Sequence, residues 1–542
     1  MKLYLIAAGG SGAKVAEALI HLCGAGLGPD SLNILSVDTD DDNGNLARLV
    51  STEGAYQGCR KFKWSRGGIR NEGVPLPFGT AITFHKLSAT SAVSSNGLRN
   101  PNICPTNCND VLDLFFTQDE QETKCHEGFL ARPNLGSLIM GKHLTDELGS
   151  SQEGGADFLS FLEDDLENDS RLVVVGSVFG GTGASVLPVA PDAILQALLK
   201  GRAEGAQIAL RNVWANLPKG AVMLLPYFKP TGVPNQDTET VDPSRFLADT
   251  KNALLYYDAS KTAQKYSTVH VVGSDDPDRE QQRLKFCAGS ADQCNASSIE
   301  ELVAALACLE TQTEGGPVRV CNPPSAANDL NMKDFPWAGG NDDARTFCLF
   351  LHSACLCVRQ GDTPMDRGIL QFVEQYTETG ELPLWPWAAE FLTDNDEKLK
   401  KTGQPPDNRE LAHYFLRLLF WARGIACSRK DLKIIDWKES GDALEYWQAL
   451  CAAKKSPSIP DPIEDGAPLA VTMATACTSG IRIMLEPGRY RGLHLIGTSG
   501  NAADGWMKKG IGPETCILPF GEKSFIAAEN AAGLKLGGEY GN

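Results

Sequence analysis

One pattern, occurring twice, constrains the fold of this chain more than any other feature. An apolar, β-branched run stops at glycines and then resumes as a segment with apolar positions at helical spacing. The first instance is residues 3–7, then "GGSG" (9–12), then 13–23, where Val15, Ala18, Leu19 and Leu22 share one helical face. The second is residues 172–175, then "FGGTG" (179–183), then 184–199. With "NILSV" (33–37) as the next strand, the first instance reads strand, helix, strand, an order that needs parallel pairing and a right-handed crossover. The expected class is α/β with a Rossmann-like parallel sheet. Glycines at a strand-to-helix turn let backbone N–H groups approach a ligand, and a helix start adds unpaired donors and a positive dipole end. Both turns suit an anion, phosphate above all. A tight glycine turn without a ligand is the alternative for either turn taken alone.

Bulk properties narrow the function classes. At 542 residues the chain is too long for one compact core, so two domains with insertions are expected. Its 50 basic and 68 acidic residues give a net charge of -18, which argues against direct binding of nucleic acid or an anionic membrane surface. No run is long enough to cross a bilayer, and the apolar start breaks at "GGSG" too early for a signal peptide, so the expectation is a cytoplasmic protein. Many of the 16 cysteines lie in apolar helical contexts such as "VAALACLE" and read as buried free thiols. Cys104, Cys108, Cys125 and His126 are four zinc-ligand types in one polar segment, but their spacing matches no established zinc pattern. Ordinary loop cysteines are the alternative, and no metal site is assigned.

The expected organisation is a nucleotide-binding domain over 1–240, interrupted by an insertion at about 51–127 that contains "SRGGIRNEG" and "VPLPFGT". A connecting helix over 241–258 holds "RFLADTKNALLYYD", and a smaller α+β domain over 259–515 opens with the strand "STVHVVG" and the helix "SSIEELVAALACLE". That second domain carries a helical insertion at about 322–465 and late strands in "PLAVTMA", "GIRIMLEP" and "GLHLIGTS", and a tail covers 516–542.

"AAGGSGAKV" alone fits a dinucleotide fingerprint, with Gly10, Gly12 and an acid, Asp38, at the tip of the second strand for a ribose. An NAD-dependent Rossmann enzyme is the reading that follows. Against it, Val15 occupies the third glycine position and the second glycine turn has no role. A Walker A loop does not fit, because valine follows Lys14.

Four motifs in order carry a resemblance. "GGSGAKVA" (9–16) is similar to the first glycine loop of the tubulin/FtsZ superfamily of GTPases, and "VDTD" (37–40) to its "NTD". "ARPNLG" (131–136) is similar to "ANPEVG", and "FGGTGASVLP" (179–188) to "GGGTGTGAAP". The resemblance covers about residues 1–310. It implies GTP or GDP held by Gly180, Gly181, Thr182 and Gly183 on one side and by Gly9, Gly10, Ser11 and Gly12, with Lys14 beside them, on the other. Asp38 and Asp40 would stand near the phosphates and Mg2+; Arg132, Pro133 and Gly136 would face the terminal phosphate; "LPYFKP" (225–230) would lie beside the ribose. Asn252, or Lys251 or Asp249 one register away, would meet the base. It further implies head-to-tail assembly into polymers, with hydrolysis completed by a neighbouring subunit's acidic loop. Here that loop corresponds to "NASSIE", with Asn295 and with Glu300 as the water-polarising base. Ser297 replaces its first aspartate, and a helix-capping role for Glu300 is the alternative. Phe179 and Ser185 replace signature glycines, and Lys229 and Pro230 stand where the family's ribose loop has glutamate. A non-hydrolysing nucleotide sensor or scaffold of the same type is therefore carried beside the polymerising GTPase, with the insertions as surfaces for protein partners.

Overall fold

The computed structural model describes residues 1–40, 43–61, 77–87, 98, 104, 109–122, 129, 133–149, 154–231, 246–273, 283–285, 293–310, 319–321, isolated positions between 335 and 354, 408–428, 435–437 and 481–483. In chain order the strands are β1 (Lys2–Ala8), β2 (Ser31–Val37), β3 (Ala81–Leu87), β4 (Ser170–Ser177), β5 (Lys219–Leu224), β6 (Lys229–Thr231), β7 (Thr268–Val272), β8 (Arg283–Lys285), β9 (Arg319–Cys321), β10 (Ile435–Trp437) and β11 (Ile481–Ile483). The helices are α1 (Gly9–Gly24), α2 (Gly44–Arg60), α3 (Asn109–Phe115), α4 (Gln118–Gln121), α5 (Pro133–Leu148), α6 (Gly155–Asp165), α7 (Gly181–Val186), α8 (Ala190–Leu199), α9 (Glu204–Asn216), α10 (Phe246–Ala259), α11 (Ile299–Leu309) and α12 (Asn408–Ser428).

The α/β class is present. Six strands of five to eight residues and the short edge strand β9 form one sheet in the order β3-β2-β1-β4-β5-β7-β9, with every pair parallel. Strand alternation sends Leu3, Leu5 and Ala7 of β1 into one core and Tyr4, Ile6 and Ala8 into the other, so both faces of the sheet are covered. The first core is built with α1, α2, α11 and α12, and the second with α5, α6, α7 and α8. β6 pairs with β8 and β10 with β11 in two small separate sheets.

Several elements differ from expectation. The "GGSG" glycines are not a loop but the first turn of α1, which begins at Gly9. The helix expected over 184–199 is two, because Pro188 lacks the N–H that would continue α7, and α8 starts at Ala190. The expected insertion at 51–127 contains the second half of α2 and the whole of β3, which pairs with β2. "STVHVVG" does not open a second domain: β7 pairs with β5 in the first sheet. The helix expected to connect two domains is consequently α10, the crossover between these parallel neighbours. Arg132, Cys108, Cys125, His126, the strands expected at 468–474 and 493–498, most of 322–465 and the tail lie outside the described residues. Cys104 is a buried free thiol. Among the described residues no helix is long and apolar enough to cross a membrane, and no group of three or more metal-ligand side chains occurs.

Candidate functional site

Register brings the two glycine turns together. Ala8 pairs with Val37 on one side and with Gly176 on the other, so β1, β2 and β4 end at one level. Gly9, Asp38 and the turn into α7 follow these ends directly. The chain leaves β1 toward β2 and β3 on one side and resumes at β4 on the other, and such a switch point is where open α/β sheets take ligands.

The contact between the turns is close. Gly9 has φ +70°, and a Cβ there would lie 3.3 Å from Thr182 Cβ and 3.4 Å from the Gly183 nitrogen. A Cβ on Gly12 would lie 2.8 Å from the Ala7 carbonyl carbon and 3.0 Å from Val175 O, so only glycine lets α1 lie this close to β1 and β4. Neither α1 nor α7 has a side-chain cap at its N-terminus. Their first N–H groups are thus left for a ligand or water. Both helices are otherwise buried. α1 is open only at Gly10 and Ser11, and α7 only at Gly181, next to the similarly open Gly180.

Three further groups complete the crevice. A Cβ on Gly10 would lie 3.1 Å from Asn43 Nδ2 and 3.1 Å from Asn45 Nδ2, so two amides overhang the first turn of α1. Asp38 accepts hydrogen bonds from the Thr182 hydroxyl (3.1 Å), from Asn43 Nδ2 (3.3 Å) and from the Asp40 N–H (3.3 Å). Burial, with the Asp40 carboxylate beside it, pushes Asp38 up to about 7. A protonated Asp38 tolerates an adjacent anion, and a divalent cation would hold it ionised. The Thr39 hydroxyl, between the two acids, is buried with no hydrogen-bond partner. An acid held near neutrality and a hydroxyl without a partner fit a site that gains polar contacts from a bound group.

The expected residues divide into those at the crevice and those elsewhere. Gly9, Gly10, Ser11, Gly12, Asp38, Asp40, Gly180, Gly181, Thr182 and Gly183 converge there. Lys14 does not reach it, because its ammonium is buried against the Glu301 carboxylate, which also accepts from the Tyr227 hydroxyl at 2.7 Å. Pro133 is the first residue of α5, and Gly136 is a packing position: a Cβ there would lie 2.7 Å from Ser185 Cβ in α7. Asn252 and Lys251 are exposed on α10, which turns Ala253 and Tyr257 inward, with the Tyr257 hydroxyl donating to Ala184 O at 2.7 Å; the Asp249 side chain is outside the described residues. Phe179, in place of a signature glycine, packs edge-on against Tyr227 and Phe228.

Asn295 and Glu300 are not presented to a neighbouring subunit. Asn295 is bound within its own chain, its N–H to Asn45 Oδ1 (3.1 Å) and its carbonyl to Arg48 Nη1 (2.6 Å). Glu300 is 0 % exposed and accepts from the Ser298 hydroxyl, while the capping box of α11 uses Ser298 and Glu301, one residue later than expected. Sequence reasoning missed Asn43, Asn45 and Gln293. Asn43 caps α2 by accepting from the Asn45 N–H (2.9 Å) and ties Asp38 to Gln293 Oε1. Asparagine ahead of a helical pattern is the signal that was there to find, in "DDNGN" (41–45). Comparison of the chain with protein-family models, curated proteins and solved structures finds no match.

Proposed function

We propose that the protein binds a nucleoside triphosphate across the ends of β1 and β4, its phosphates lying between the first turns of α1 and α7. One observation carries this reading: two otherwise buried helices open to solvent only at Gly10, Ser11 and Gly181, at uncapped N-termini packed against each other. The N–H groups of these turns and the amides of Asn43 and Asn45 are the donors for phosphate oxygens. Asp38 and Asp40 are the oxygen ligands for Mg2+, which would supply charge neutralisation at the phosphates.

The resemblance of four motifs to the tubulin/FtsZ superfamily makes GTP the nucleotide and head-to-tail self-association its consequence. The burial of Glu300 and the fixing of Asn295 within one chain favour the form of this reading that binds nucleotide without turnover, as a sensor or scaffold. The test is the nucleotide released from the purified full chain, identified by chromatography, followed by calorimetric titration and electron microscopy with and without GTP. Gly10→Asp places a carboxylate at the phosphates and is expected to weaken GTP binding by about 100-fold with little change in thermal unfolding. Retained NAD, with Asp38 meeting a ribose, overturns the assignment in favour of a dinucleotide enzyme.

A further inference from the structure

Cys294 differs from the other described thiols. Cys23, Cys59, Cys104 and Cys308 are buried free cysteines, whereas Cys294 is free and partly exposed. The residues on either side of it are anchored to α2: Gln293 O accepts from the Asn45 N–H at 3.0 Å, and Asn295 O accepts from Arg48 Nη1 at 2.6 Å. The second bond sets a guanidinium against the peptide next to Cys294.

A second guanidinium comes from α12. Arg417 is 7 % exposed, and its Nε has no hydrogen-bond partner. The charged groups acting on it are Glu17, Arg48 and Cys294. Glu17 already accepts from Arg48 Nε at 2.7 Å and from the Thr52 hydroxyl at 3.2 Å. On α1 and α11, Lys14 and Glu301 pair with each other, Glu301 also favouring the charged form of Arg48. Burial, with Arg48 and Arg417 nearby, holds His21 neutral. One carboxylate thus faces two guanidiniums, and the group placed to add negative charge is the Cys294 sulfur.

We propose that Cys294 is a modification site, a thiolate held by Arg48 and Arg417 that undergoes exchange with small anionic disulfides. The sulfur attacks one sulfur of the disulfide and a new S–S bond forms. The old bond breaks, and the other half leaves as a thiolate with the electron pair, taking a proton from water; Cys294 is oxidised and the departing half reduced. The guanidiniums serve twice, stabilising the attacking thiolate and attracting the carboxylates of the incoming molecule. A mixed disulfide at 294 would strain the bonds of 293 and 295 to Asn45 and Arg48, beside Gly10. That consequence rests on the nucleotide reading, whereas the modification does not.

The experiment treats the full chain with glutathione disulfide and, separately, with the cationic disulfide cystamine, and follows each cysteine by peptide mass mapping. Cys294 is expected to react first, and faster with glutathione disulfide than with cystamine. Its alkylation by iodoacetamide is expected to have a pH midpoint at least about one unit below the ordinary thiol value. Arg417→Gln is expected to slow exchange about tenfold and raise that midpoint, and Arg417→Lys to retain most of both. A wild-type midpoint at the ordinary thiol value overturns the proposal, as does a preference for cystamine. An unchanged rate and midpoint in a folded Arg417→Gln protein also overturns it. If that variant does not fold, the wild-type pH profile and the comparison of the two disulfides decide.

Discussion

The two faces of the sheet are equally well covered but built from different chemistry. The face carrying α1, α2, α11 and α12 buries charges: Lys14 with Glu301, Arg48 with Glu17, and Arg417. The face carrying α5 to α8 and α10 is tied mainly by apolar packing and by tyrosine hydroxyls, Tyr257 to Ala184 O and Tyr266 to Leu187 O. Buried ion pairs seldom add net stability over apolar residues of the same size, because desolvation offsets the attraction. The charged face also holds Asn43 and Asn45 over Gly10 through α2 and the 293–295 segment. The contrast teaches that one face stabilises the fold and the other, at some loss of stability, fixes the groups around the crevice.

The largest expected effect tests that contrast on the charged face. Glu301→Ala leaves Lys14 charged in the core and the Tyr227 hydroxyl without this acceptor, and should destabilise by about 3–5 kcal/mol in denaturant unfolding. Combining it as Glu301→Leu with Lys14→Met should recover part of the loss, whereas a loss equal to the sum of the single changes breaks the comparison. On the opposite face, Gly136→Ala forces a methyl group against Ser185 and should cost about 1–3 kcal/mol, with GTP affinity unchanged in the folded fraction.

Asp38 sharpens the comparison through pH. Its ordinary value is 3.8 and the folded value is about 7, so the folded state holds the extra proton between about pH 4 and 7. The stability due to this group is complete below that window and falls as pH rises through it. Asp38→Asn should flatten the slope of unfolding free energy against pH over that range; an unchanged slope removes Asp38 as its source. The smallest effect belongs to the apolar face, where Tyr257→Phe deletes the bond to Ala184 O and should cost about 0.5–1.5 kcal/mol without altering the pH profile.

How much of this is legible in the sequence depends on how local the signal is. The strands of the two glycine-broken units are readable because apolar β-branched runs and glycine boundaries are properties of a few adjacent residues. β3 is not, because "AITFHKL" mixes polar residues into a partly exposed edge strand and sits beside "VPLPFGT", which reads as loop. The cap of α11 offers two serines and two glutamates in succession, so Ser297 with Glu300 and Ser298 with Glu301 are equivalent on paper. Burial of Glu301 against Lys14 and Tyr227 selects the second pair.

The sequence by itself determined that two strand–glycine–helix units exist, that parallel pairing joins them, and that an anion suits their helix starts. Only the tertiary structure decided that β7 returns to the same sheet, that Gly136 serves packing, that Lys14 and Glu300 are buried away from the crevice, and that Asn43 and Asn45 overhang it. The physical reason is that periodicity encodes which residues are buried, while sheet register and helix docking choose what they are buried against.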